Sequence, residues 1–75
     1  LSTVKKPRSA PVTWRQKGAI WEGIREGQVI ARVERDPVNG WQAHVGGEYS
    51  IWESIERAKR EAEIAVYVAL FGRRP

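Results

Sequence analysis

The sequence predicts an α+β fold, a three-stranded antiparallel β-meander packed on one face by a single C-terminal α-helix and preceded by a disordered basic arm. Three observations predict it. Ile51, Ile55, Ala58, Ala62, Ala65 and Ala69 recur at spacings of three and four, the repeat of one helix face. Upstream, Val29, Ala31 and Val33 alternate with Ile30, Arg32 and Glu34, and Trp41, Ala43 and Val45 alternate with Gln42 and His44, the period of a pleated strand. The 75 residues suffice for one domain at most, and one amphipathic sheet and one amphipathic helix each need the other to cover an apolar face.

Residues 1–13 combine Pro7, Pro11, Ser2, Thr3 and Ser9 with basic residues and show no periodicity, which predicts a flexible arm, either functional or inert. Residues 14–75 form the single folded domain. Within it, residues 14–18 read as either a turn or a short leading strand. The three predicted strands are 19–24, 28–35 and 41–45. The turns between them are Arg25-Glu26-Gly27 and Asp36-Pro37-Val38-Asn39-Gly40, and Asn-Gly supplies positive φ in the second. Gly46-Gly47 ends the third strand.

The helix is expected over residues 49–72. Ser50 and Glu53 have the spacing of a capping box, and Gly72 stands where a left-handed terminating residue is expected. Its stripe is mostly alanine, which buries little area but admits a close partner surface. Trp14, Trp21, Trp41 and the upstream β-branched residues supply the bulk. Glu53 with Arg57 and Glu56 with Arg60 are i,i+4 pairs in the favourable order, giving a self-neutralised solvated face.

The net charge of +4 is uneven, because residues 1–20 hold Lys5, Lys6, Arg8, Arg15 and Lys17 and no acid. A basic arm suits phosphate contact and serves equally as a solubilising tail. The chain has no cysteine and one histidine, so neither a disulfide scaffold nor a His/Cys metal cage is expected. No acid–base or nucleophile constellation stands at fixed spacing, so no catalytic residue, metal or cofactor is assigned and an enzyme is the least expected class. No apolar run approaches the ~20 residues of a membrane span. A cytoplasmic protein is expected.

Two surfaces are candidates for binding. If the Val29 and Trp41 sets face the helix, then Arg32, Gln42 and His44 face away with Ile30 and Glu34. Trp21 joins them if the first strand runs in the register that buries Ile20 and Ile24. Arg, Gln, His and an aromatic on an open sheet can meet base edges or stack on bases. At the helix end, Val66, Tyr67, Val68, Leu70 and Phe71 point in more directions than one sheet can cover, which predicts a partner or homodimer contact at Val66, Tyr67, Leu70 and Phe71.

Residues 40–45, Gly-Trp-Gln-Ala-His-Val, followed by Tyr49-Ser50-Ile51-Trp52-Glu53-Ser54-Ile55-Glu56-Arg57-Ala58-Lys59, resemble the last strand and helix entry of the small βββα domains of tyrosine integrase N-termini and plant AP2-type factors. The resemblance covers about half the chain. In those families the exposed sheet face enters the DNA major groove. It implies Arg32, Gln42 and His44 toward bases, with Arg35 and the arm lysines on phosphate. The order of strands and a Glu/Ala-rich helix is also similar to HicB-type antitoxins, which bind a toxin protein. The expectation is therefore a non-catalytic DNA-binding accessory module of a phage or mobile element. The alternative is an antitoxin-like or inhibitor-like module acting on a protein partner through its aromatic and apolar surface.

Overall fold

The computed structural model describes residues 11–72. Five antiparallel strands follow one another in space as in sequence: β1 (Thr13–Lys17), β2 (Ile20–Arg25), β3 (Gln28–Arg35), β4 (Trp41–Val45) and β5 (Glu48–Trp52). The helix α1 (Ile55–Phe71) lies across one face and packs on β3, β4 and β5. The chain is α+β, and the expected three-stranded meander is corrected to five strands. The two additional strands are the sheet's edges. Residues 1–10, and with them most of the expected arm, lie outside the described residues, while Val12 is buried and Thr13 opens β1.

Tight turns set the register. Lys17 pairs with Ile20 and Val45 with Glu48, so Gly18-Ala19 and Gly46-Gly47 are two-residue hairpin loops. Between β2 and β3, Glu26 and Gly27 both have positive φ, 53° and 80°, as a type I′ turn requires. A shift in pairing follows that hairpin: Gly23 faces Ala31 but Ile24 faces Val29, which leaves Ile30 as the extra residue of a bulge.

The helix begins later than its repeat suggests. Ser54, in extended conformation, is the N-cap, and its Oγ accepts the Arg57 N–H at 3.1 Å. Ser50 lies in β5 and accepts the Trp52 indole N–H at 2.6 Å, so the expected Ser50/Glu53 box is replaced by a cap four residues on. Tyr49, Ser50, Ile51 and Trp52 are extended because the Gly46-Gly47 hairpin returns the chain along β4, where each gains a ladder partner. At the other end Gly72, at φ 84°, donates its N–H to the Val68 carbonyl at 2.7 Å.

Among the described residues the core holds Val12, Ala31, Val33, Ala43, Ala58, Ala62 and Val66, all small. Ala58, Ala62 and Val66 face the sheet at steps of four, so Val66 takes the place expected for Ala65, and Ala65 and Ala69 are exposed. Tryptophans frame this narrow contact. Trp14 Nε1 donates to Glu63 at 2.7 Å, and the Lys59 ammonium sits 3.5 Å from the Trp21 ring centroid. Trp41 pairs with Trp52 across β4 and β5, and the Arg57 guanidinium lies 5.0 Å from the Trp52 ring. Trp21 therefore belongs to the helix side. The register that would turn it outward is corrected, and by alternation Ile20 and Ile24 take the opposite face.

Candidate nucleic-acid interface

The helix occupies one face of the sheet, and strand alternation fixes what the other presents. Cross-strand partners share a face, so the pairings Arg15 to Glu22, Glu22 to Arg32, Arg32 to His44 and His44 to Tyr49 run one row of side chains across all five strands. A second row pairs Lys17 with Ile20, Ile20 with Glu34, Glu34 with Gln42 and Gln42 with Ile51. Arg15, Lys17, Arg32, Gln42 and His44 are thus brought together on one surface that no other element among the described residues covers.

A hydrogen-bonded chain orders the centre of that surface. Asp36 accepts the backbone N–H groups of Val38 at 2.9 Å and Asn39 at 2.8 Å, closing the β3–β4 loop, and accepts the Gln42 amide at 2.6 Å. The Asn39 N–H is the largest cause holding the Asp36 carboxyl below its usual value, followed by the Gln42 amide and the Val38 N–H. Gln42 Oε1 lies 2.8 Å from His44 Nε2, which also stands 3.3 Å from Glu34. Both neighbours are acceptors, so Nε2 carries the proton. Tyr49 stacks on the imidazole with ring centroids 5.3 Å apart.

The carboxylates of this surface are engaged by cations. Arg15 donates to Glu22 at 2.8 Å, and this hydrogen bond is the main reason the Glu22 carboxyl titrates below its ordinary value, with Lys17 adding through space. Arg32 stands 3.7 Å from Glu34. Three cations, Arg15, Lys17 and Arg32, meet the two carboxylates Glu22 and Glu34, and Asp36, held by neutral donors, adds a third negative charge.

Other expected site residues lie elsewhere. Lys5, Lys6 and Arg8 fall outside the described residues. Arg35 pairs with Trp41 on the helix side of the sheet, its guanidinium 5.4 Å from the indole, so it does not join the outward set. Val66 is 2% exposed and belongs to the core rather than to a contact surface. Tyr67 packs on Phe71 with centroids 4.6 Å apart, while Leu70 and Phe71 are exposed.

Sequence reasoning placed Glu22 and Glu34 on this face and missed Tyr49, which enters the row only through the register of β5. The signal for β5 was present: Gly-Gly between two alternating runs is a hairpin signature. Among the described residues no group of three or more His, Cys, Asp or Glu could hold a metal ion, and no helix is long and apolar enough to cross a membrane. No protein-family model matches the chain, and neither the curated proteins nor the solved structures compared with it give a match.

Proposed function

We propose that the protein is a non-catalytic module that binds DNA through the outward face of its sheet. The observation that carries this reading is the alignment of Arg15, Lys17, Arg32, Gln42 and His44 on the face the helix leaves open. Arg15 and Lys17, on the edge strand β1, reach phosphate; Arg32, Gln42 and His44, nearer the centre, meet base edges. An accessory role for a phage or mobile element follows from the same reading and the integrase-like motif. Binding exchanges the carboxylate partners of Arg15 and Arg32 for phosphate oxygens. Glu22 and Glu34 therefore act as internal competitors that hold affinity down.

Fluorescence anisotropy with a labelled duplex tests it. Binding is expected at about 50 mM salt, weakening by about 0.9 in the log–log slope for each neutralised phosphate. Arg32→Ala reduces affinity and Glu34→Gln raises it. Absence of binding at low salt, or an affinity indifferent to both substitutions, refutes the reading. Leu70 and Phe71, 45% and 56% exposed at the helix end, support the alternative of a protein partner. In that case Phe71→Ala abolishes an association that Arg32→Ala leaves intact.

A further inference from the structure

The two edges of the sheet are built differently. β1 carries Arg15 and Lys17 within its five residues, and charges of this kind keep an exposed edge from pairing with another chain. β5 reads Glu-Tyr-Ser-Ile-Trp and has no charge after Glu48. Tyr49 and Ile51 on its outward side are 61% and 45% exposed. On its other side an open groove separates β5 from α1, lined by Trp52, Ile64, Ala65 and Val68 with the carboxylates of Glu48 and Glu61 beside them. An edge with no partner strand among the described residues, with apolar side chains on both faces and no charge along most of its length, is a template for another strand.

We propose that β5 pairs with β5 of a second copy, antiparallel about Ser50, so that one sheet continues across a two-fold axis. The register makes the strand its own complement. Tyr49 meets the second copy's Ile51, an aromatic and β-branched pair formed twice, and Ser50 meets its counterpart. Glu48 falls opposite the second copy's Trp52, whose ring already carries the Arg57 guanidinium, so no like charges stand directly opposite one another.

A five-residue strand supplies about 17 Å of edge. Pairing also brings the second copy's strand beside Ile64 and Val68, which the groove leaves open. The single chain has reason to need that area, because its core is built of valine and alanine alone among the described residues and small domains are marginal without help. The contact is isologous and closes at two copies. Pairing β5 with β1 instead leaves an edge free at each end and builds an open filament.

The absence of cysteine makes the register testable. Ser50→Cys places two thiols across a two-fold pair at Cα separations of about 4.5–5.5 Å, within disulfide reach. Mild oxidation is expected to give a covalent dimer, whereas Lys17→Cys, on the charged edge, stays monomeric. In sedimentation the unmodified chain runs at twice its 8.5 kDa mass. Ile51→Lys, at an exposed position that leaves the circular dichroism spectrum unchanged, raises the dimer dissociation constant about tenfold or more. Phe71→Lys leaves it unchanged. A monomer at every concentration overturns the proposal, as does a dimer that survives Ile51→Lys but not Phe71→Lys, or one that Ser50→Cys fails to trap. None of these measurements contains DNA, so their outcome is independent of the nucleic-acid reading.

Discussion

Replacing Gly40 by alanine tests how the β3–β4 loop is locked to the end of β5. Gly40 has φ 58°, and a Cβ built there collides with the Trp52 carbonyl oxygen. Gly27 is a matched control: its φ is 80°, but a Cβ there meets nothing within 4 Å. The left-handed conformation disfavours an L side chain by about 1–2 kcal/mol, and the lost unfolded-state freedom returns about 0.4–1 kcal/mol. Gly27→Ala should therefore destabilise by about 1 kcal/mol.

At Gly40 the obstacle is backbone rather than a mobile side-chain tip. The carbonyl can retreat only if the end of β5 moves, which adds the 1–3 kcal/mol typical of overpacking. Gly40→Ala should lose about 2–4 kcal/mol in total, a fall in melting temperature of at least about 8 °C for a domain of this size. Urea unfolding followed by tryptophan fluorescence reads both variants. Equal losses at Gly40 and Gly27 would refute the argument, because they would leave only the φ term. A second consequence can be checked on the same sample. The Gly40 carbonyl accepts the Asp36 N–H at 3.0 Å, so displacing it should also loosen the Asp36–Gln42–His44 chain.

Two further outcomes follow from the termini and from titration. Ser54→Ala should lower stability by about 1 kcal/mol through loss of the helix cap, whereas an Ala at Ser50 leaves helix capping untouched; thermal melts of the two variants compare them. The Asp36 carboxyl titrates below its unfolded value, so its contribution is fully present above the unfolded pKa and is lost as pH falls through the lower folded one. Stability measured from neutral pH into the acid range should therefore drop less steeply in Asp36→Asn than in the parent, and identical slopes would remove Asp36 from that account.

What was legible in the sequence was the local pattern. The alternation of Ala31 and Val33 and of Trp41, Ala43 and Val45 gave the right faces for two central strands, because a strand's period does not depend on its neighbours, but the bulge at Ile30 breaks that period and turns Val29, expected on the helix side, outward with Ile24. Gly72 was legible for the same reason: a helix end needs a left-handed residue whatever packs around it. Arg32, Gln42 and His44 were placed correctly on the outward face by parity alone.

The tertiary structure decided the rest. Residues 49–52 satisfy a helical repeat and a strand repeat at once, and only the hydrogen bonds that β4 offers, set by the Gly46-Gly47 hairpin, tip them into an extended edge. The side taken by Trp21 depends on pairing with β1 and β3 rather than on its own segment, whereas Arg35 shares the parity of Ala31 and Val33 and goes with them and Trp41 to the helix face. Val66 displaced Ala65 from the core because the helix meets the sheet at one angle, which a residue spacing of three or four does not specify. Periodicity is carried by the covalent chain; register and docking angle are settled only when separate segments compete for the same hydrogen bonds and the same buried space.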